Sequence, residues 1–319
     1  MREIFRKMRE TGRRLRSGGL DAENNLQVGL LPTSGWRQRN IDYFGNRVFP
    51  SLLSQRGGQT FAPDFGSPDI DVIGVTWIGH ATFVVQMGGK NILIDPNWAN
   101  WLGIIKRVRH PGVSLIDLPP IDLVLISHAH HDHLHKRSLN IIANNQPVVV
   151  PEGVGKIVQR CGFSDVIEMK YWEQTKVDDL LITFTPAQHW GARYVHDTHR
   201  GFGGFIVTSP AGRSLYHCGD SAYFDGFQQI GAHSSIDLAL LPIGAYEAPS
   251  GREVHMNPEE ALMAFEELGA LHMCPMHYGT FPLGREPMDE PVLRLEQGAI
   301  ERGLAERVRV LTEGHPAHF

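Results

Sequence analysis

The chain has 319 residues, 42% of them hydrophobic, with 30 Lys and Arg against 35 Asp and Glu, for a formal charge of −5. A chain of this size buries a core without disulfide or metal staples, which excludes the stapled mini-scaffolds. The mild acidity argues against a protein whose main task is wrapping nucleic acid. Its three cysteines, Cys161, Cys218 and Cys274, are widely spaced and form no CxxC pair, so a reducing, cytoplasmic compartment is expected.

No run of about 18 apolar residues occurs, so no membrane span is expected, and the first residues lack the apolar stretch of a secretory signal. Residues 1–16 carry seven basic groups and two acids, with Ile4, Phe5, Met8 and Leu15 at roughly helical spacing. Two readings stand: a cationic amphipathic helix making peripheral contact with an anionic membrane, or a solvated charged arm. Residues 20–68 read as an irregular lead-in, rich in Asn, Gln, Gly and Pro. The expected organisation is therefore a lead-in over 1–70 and one main domain over 71–319.

From there, short apolar runs alternate with turn signals. Strands are predicted at 72–78, 82–87, 91–94, 123–126, 148–150, 180–185, 204–208, 214–217, 238–241 and 272–275. Helices are predicted at 136–144, 152–160, 222–230 and 258–268. The last opens on Asn257-Pro258-Glu259-Glu260, an N-cap residue followed by proline at the first helical position. Strand-rich halves with interspersed helices imply a layered α/β domain, two sheets face to face and covered by helices.

The most informative segment is His128-Ala129-His130-His131-Asp132-His133, directly after a predicted strand. Random placement produces an HxHxDH match on the order of 0.003 times in such a chain. Residues two apart in an extended segment point the same way, so His128 and His130 can grip one ion. The chain then turns, and Asp132 and His133 can reach a second. Imidazole with carboxylate suits zinc first, with iron or manganese as alternatives. His131 and His135 read as supporting or solvent-facing. Further candidates sit at predicted strand ends: His189, Asp220 and His277, with Asp95 in Leu93-Ile94-Asp95-Pro96.

The ordered series Asp, HxHxDH, His, Asp, His resembles the metallo-β-lactamase superfamily over residues 71–281. That resemblance implies an αββα four-layer sandwich binding one or two metals. It assigns His128, His130 and His189 to one ion and Asp132, His133 and His277 to the other, with Asp220 bridging and Asp95 behind them. Within the superfamily, the segments Trp77-Ile78-Gly79-His80-Ala81-Thr82, Pro186-Ala187-Gln188-His189-Trp190, Pro242-Ile243-Gly244-Ala245-Tyr246-Glu247, His255-Met256-Asn257-Pro258-Glu259-Glu260 and His277-Tyr278-Gly279-Thr280-Phe281 are similar to N-acyl-phosphatidylethanolamine-hydrolysing phospholipase D and its bacterial relatives. The stretch Ala248-Pro249-Ser250-Gly251 and Tyr278 depart from that pattern.

Five neutral imidazoles, two carboxylates and two divalent ions would leave a site of about +2, suited to an anionic substrate. A phosphodiester fits, attacked in line by hydroxide formed near neutral pH. The implied catalytic residues are Asp132 and His255, the latter as phosphate contact or proton donor. His80 reads as a supporting histidine near the cluster. His196 and His199 read as part of a solvated polar loop, and Trp190 and Tyr246 as candidate walls. The expected partner is an anionic phospholipid or another phosphodiester, with no nucleic acid, and a homodimer is an option. A lactone or ester hydrolase using the same ions is the alternative activity, with a non-catalytic metal-binding scaffold as the third class.

Overall fold

The computed structural model describes residues 32–67, 69–194 and 197–319; the basic arm at 1–16 and His196 lie outside the described residues. Strands β1 (Gly74–Gly79), β2 (Thr82–Met87) and β3 (Lys90–Ile94) form an antiparallel meander. A two-residue-per-strand hairpin follows, β4 (Trp101–Leu102) with β5 (Ile105–Lys106). Strands β6 (Leu123–Leu125), β7 (Val148–Pro151) and β8 (Val166–Met169) then extend the first sheet in parallel beyond β3. The second sheet comprises β9 (Gln174–Val177), β10 (Leu180–Thr185), β11 (Gly204–Thr208), β12 (Ser214–His217), β13 (Leu238–Pro242) and β14 (His272–Met276). Strand β15 (Pro316–His318) returns to close the first sheet against β1.

Alternation along the strands builds the layers. In β2, Phe83, Val85 and Met87 join the core shared with the second sheet, whereas Val84 joins the core behind the first. Strand β3 repeats this with Ile92 and Ile94 against Leu93. A strand buried on both faces needs a cover on each, since successive side chains point opposite ways. Helices Lys136–Ile142 and Gly155–Gln159 supply one cover through Leu139, Ile157 and Val158. Helices Gly226–His233, Pro258–Leu268 and Glu290–Glu301 supply the other through Phe227, Ile230, Leu262, Phe265 and Leu295. Each such large apolar side chain contributes about 1.5–3 kcal/mol by burial. The expected four-layer sandwich is therefore the observed fold.

Several expectations are corrected. The lead-in is not irregular throughout: a helix over Trp36–Tyr43, a π-helical turn over Phe44–Val48 and a helix over Phe49–Leu53 run nearly continuously. Tyr43 Oη donates to the Pro282 carbonyl (2.6 Å) and Arg47 Nε to the Arg285 carbonyl (2.6 Å), fastening them to the rest of the chain. The helix read at 222–230 starts only at Gly226, because Ala222 is tied into a backbone bridge with Gln188. The helix read at 152–160 starts at Gly155, after Gly153 takes a left-handed φ of 81° that breaks it. The hairpin β4–β5, the edge strands β8, β9 and β15, and helix Glu290–Glu301 are additional to the sequence reading.

Helix Pro258–Leu268 carries a reciprocal cap: the Asn257 side chain accepts from Glu260 N (2.9 Å) and the Glu260 carboxylate from Asn257 N (3.0 Å). Replacing Asn257 with Ala should cost about 1 kcal/mol, read as an earlier urea midpoint by circular dichroism, whereas Asn257→Asp should keep most of it. An unchanged midpoint in Asn257→Ala would deny the cap any part in stability.

Candidate metal centre

The predicted residues arrive at one edge of the sandwich from the ends of both sheets. Asp95 follows β3, the HxHxDH segment follows β6, His189 follows β10, Asp220 follows β12 and His277 follows β14. The turns that aim them are tight. Asp95, His80 and His277 take positive φ values of 44°, 57° and 61°, a conformation that costs energy for non-glycine residues and is held only by surrounding structure. Gly79 (φ 130°) lies where a Cβ would stand 2.8 Å from Arg107 Nη2, and Gly219 (φ 64°) where one would meet the Gly203 carbonyl at 2.4 Å.

At the middle lies Asp220 Oδ2. It is 3.0 Å from His277 Nε2, 3.1 Å from His133 Nε2, 3.2 Å from His255 Nε2, 3.7 Å from His128 Nε2 and 3.8 Å from His189 Nε2. Two tetrads of ligand-type atoms converge here, His128, His130, His189 and Asp220 on one side, and His80, Asp132, His133 and His277 on the other. His255 completes a third group with Asp220 and His277. The structure thus brings together all seven side chains read as ligands. It also draws in His80, whose Nε2 is 3.0 Å from Asp132 Oδ2.

The imidazoles are oriented from behind. Asp95, fully buried, accepts from Ser127 N (2.7 Å) and Ser127 Oγ (2.6 Å) and lies 2.7 Å from His133 Nδ1. Ser127 Oγ in turn lies 2.9 Å from His128 Nδ1, and the Val254 carbonyl 3.0 Å from His189 Nδ1. A proton on each Nδ1 leaves the Nε2 lone pair facing inward, the arrangement metal-binding histidines use. Arg193, absent from the sequence reading, donates Nη1 to the Ala129 and Leu134 carbonyls (2.7 and 2.9 Å) and pins the HxHxDH loop. Asn97 donates to the Asp132 carbonyl (2.6 Å), and buried Arg107 donates to the Asn97 carbonyl (3.2 Å). No spacing pattern marks these three, because their partners are backbone carbonyls distant in sequence.

Burial holds His128 and His189 well below the usual imidazole range and His130 at about 4. These rings are neutral near pH 7, the form that coordinates metal. For His133 and His277 burial pushes the same way, but the carboxylates of Asp220 and Asp132 outweigh it, raising His133 well above its usual value and His277 to about 9. Burial would raise both carboxyls, yet the facing imidazoles hold Asp132 and Asp220 well below the carboxylate range. The two acids therefore favour positive charge at this spot. The buried atoms His130 Nε2 and Asp220 Oδ1 have no hydrogen-bond partner among the described residues. Such groups need a counterpart, and an imidazole–carboxylate donor set fits a divalent transition ion.

Other expectations resolve individually. His131 is exposed, with Arg193 Nη2 3.0 Å from its Nδ1, and His135 bonds Ser138 (2.7 Å). His199 lines a separate cavity of about 620 Å³ with Lys156 and Arg160. Trp190 packs edge-on against His130 (4.8 Å between centroids). Tyr246 does not act as a free wall: its hydroxyl bonds Glu290 (2.8 Å), under Arg294.

Asp95→Ala is expected to weaken zinc binding by about 10–100-fold, measured by equilibrium dialysis with elemental analysis on protein whose circular dichroism is unchanged. Undiminished affinity would mean that His133 is oriented by something else.

The Beta-lactamase superfamily domain family matches residues 90–278. N-acyl-phosphatidylethanolamine-hydrolyzing phospholipase D 1 of Caenorhabditis elegans is 34% identical over 241 residues, 67% of this chain and 67% of the relative. A metal-dependent hydrolase of Rubrobacter xylanophilus is 32% identical over 75% of this chain and 94% of its own length. The chain spans 66% of the length of a 34%-identical relative from Mycobacterium tuberculosis. A solved metallo hydrolase from Ignicoccus hospitalis superposes with a TM-score of 0.60 at 28% identity, over 78% of this chain and 98% of that one. With that family match laid over a two-sheet sandwich and its edge cluster of histidines and aspartates, the chain belongs to the metallo-β-lactamase superfamily of metal-dependent hydrolases.

Proposed function

We propose that the chain is a phosphodiesterase of phospholipase D type, cleaving the distal phosphodiester bond of N-acyl-phosphatidylethanolamine-like glycerophospholipids to release an N-acylethanolamine and phosphatidate. The observation that carries the reading is the convergence of five imidazoles on Asp220 Oδ2, alongside the similarity to the nematode phospholipase D. His128, His130 and His189 would hold one divalent ion, Asp132, His133 and His277 another, and Asp220 both. Zinc is the first candidate by donor type. When bound, the ions supply Lewis acidity toward a phosphoryl oxygen and lower the pKa of water.

The chain's own groups divide the remaining work. Asp132 and His255 keep side-chain exposures of 14% and 13%, against 0–2% for His80, His128, His133, His189, Asp220 and His277, so these two can reach solvent and substrate. Asp132, steadied by His80 Nε2, orients the attacking water and accepts from it. His255 Nε2 contacts the phosphate or passes a proton to the leaving alkoxide oxygen. Neutral lactones and esters, the alternative substrates, make less use of a centre whose net charge favours an anion.

A lipid substrate also favours contact with its interface. No helix among the described residues is long and apolar enough to cross a membrane. Yet Ile41, Phe49 and Leu53 of the lead-in are 65%, 60% and 91% exposed, and Ile104, at the tip of the β4–β5 hairpin, 62%. Lys106 Nζ donates to the Leu52 and Ser54 carbonyls (3.2 and 2.6 Å), which joins the hairpin to the lead-in. Arg37, Arg39, Arg47 and Arg56 outnumber the lone acid Asp42 between residues 32 and 57, a balance that suits an anionic surface.

Purified zinc-loaded protein should release N-acylethanolamine from N-acyl-phosphatidylethanolamine, and Asp132→Asn should lower that rate by about 10²-fold or more with unchanged circular dichroism. Turnover of lactones without N-acylethanolamine release would transfer the assignment to the alternative, and undiminished turnover by Asp132→Asn would remove Asp132 from the reaction. In co-sedimentation, the protein should partition onto vesicles containing phosphatidylserine more than onto phosphatidylcholine alone. The Leu53→Asp/Ile104→Asp double variant should lose most of that partition; equal binding by the variant would place the contact elsewhere.

A further inference from the structure

We infer that Arg252, laid across Trp190 at the mouth of the centre, is a specificity-determining contact that takes a negatively charged oxygen of the substrate. The identity of that anion, a phosphodiester, rests on the reading above. The partly open residues of the cluster, His130, Asp132 and His255, mark where substrate enters. Trp190 stands edge-on against His130, and the Arg252 guanidinium lies 4.4 Å from the Trp190 ring centroid. Three residues on, His255 reaches Asp220. The guanidinium is thus one aromatic ring away from a ligand-type imidazole, on the loop that carries the proposed proton donor.

Among the described residues the Arg252 guanidinium has no acceptor. Its Nη1 is buried without a hydrogen-bond partner, and no carboxylate among the described residues pairs with it. Other arginines of the chain have acceptors. Arg193 holds the Ala129 and Leu134 carbonyls, Arg200 pairs with Asp197, Arg285 with Glu247 and Arg294 with Glu259. A guanidinium stacked on an aromatic face keeps its planar fork free for two parallel bonds to phosphate oxygens. The guanidinium is half-buried and carries no counter-charge among the described residues, which suits an anionic ligand as its partner.

The loop is held still at both ends, as a recognition element requires. From outside, Arg39 donates to the Pro249 carbonyl (3.1 Å) and the Ser250 carbonyl (3.0 Å), and Thr33 N to the Ser250 carbonyl (3.0 Å). From inside, the Val254 carbonyl meets His189 and Met256 N donates to the Ser221 carbonyl (3.0 Å).

The test uses the full zinc-loaded chain. Diethyl phosphate is titrated calorimetrically into wild type, Arg252→Gln and Arg252→Lys, and turnover of bis(p-nitrophenyl) phosphate and of neutral p-nitrophenyl acetate is followed in parallel. Arg252→Gln should weaken diethyl phosphate binding by about tenfold or more, and Arg252→Lys by less, since it keeps the charge without the fork. The KM for the phosphodiester should rise about tenfold relative to any change for the acetate, with kcat less affected. Equal binding of diethyl phosphate by wild type and Arg252→Gln, or equal losses on both substrates, would overturn the inference in favour of a packing role. Absence of binding by wild type would overturn it too. Arginine-dependent binding by a wild type that cleaves no phosphodiester would uphold the contact and remove the phosphodiesterase reading instead.

Discussion

The site depends on one buried carboxylate. Asp220, 3% exposed, places a single oxygen within 4 Å of five imidazole nitrogens. An isolated carboxylate at such a depth would neutralise itself by taking up a proton. It stays ionised because positive charge is shared around it, as protons on His133 and His277 or as divalent ions. The same requirement explains why the ligand-type residues approach from five separate strand ends. No single helix or hairpin can surround one oxygen with that many rings, whereas the abutting edges of two sheets can.

Holding the rings in place requires strain, and the sandwich supplies the restraint. His80, Asp95 and His277 sit in left-handed backbone, and each is tied to a neighbouring strand end. His277 N donates to the His80 carbonyl (3.0 Å), His80 N to Thr280 Oγ1 (2.7 Å) and Asp95 N to the Leu125 carbonyl (2.9 Å). Behind them, Asp95, Ser127 and Arg193 set tautomers and loop shape. This is a layered construction in which the apolar core fixes strands, strand ends fix turns and turns fix nitrogen lone pairs. Loosening any outer layer is felt at the centre, since metal geometry tolerates only small displacements.

How far the sequence discloses this follows from the same layering. Strands buried on both faces, such as β2 and β3, read correctly because their apolar runs are continuous and bounded by turn residues. The HxHxDH cluster was legible because local spacing carries its logic. His189, Asp220 and His277 became legible only as an ordered set at strand ends. The edge strand β9 escaped because its side chains alternate between exposed and half-buried, and β8 because only Met169 is fully buried. The lead-in helices escaped because they bury only Tyr43, Val48 and Ser51. Arg107, Asn97 and Arg193 were hidden for another reason: they act through backbone carbonyls whose neighbourhood exists only after folding.

That division has a bearing on specificity. The ligand-type residues other than His80 fall inside residues 90–278, the part the superfamily has in common. The lead-in falls outside that span, yet Thr33 and Arg39 grip the loop at Ser250, Tyr43 grips Pro282 and Arg47 grips Arg285. It therefore braces the loop that leads into Arg252 and His255, at the open side of the cluster. An imidazole–carboxylate cluster of this kind can serve phosphodiesters, lactones and esters, and its charge favours the anionic ones without choosing among them. Discrimination must come from groups that meet the substrate beside the reacting bond. The two groups proposed for that part, Arg252 and His255, ride on a loop braced by residues that the superfamily span does not include, an arrangement in which substrate choice could diverge while the metal chemistry stays fixed.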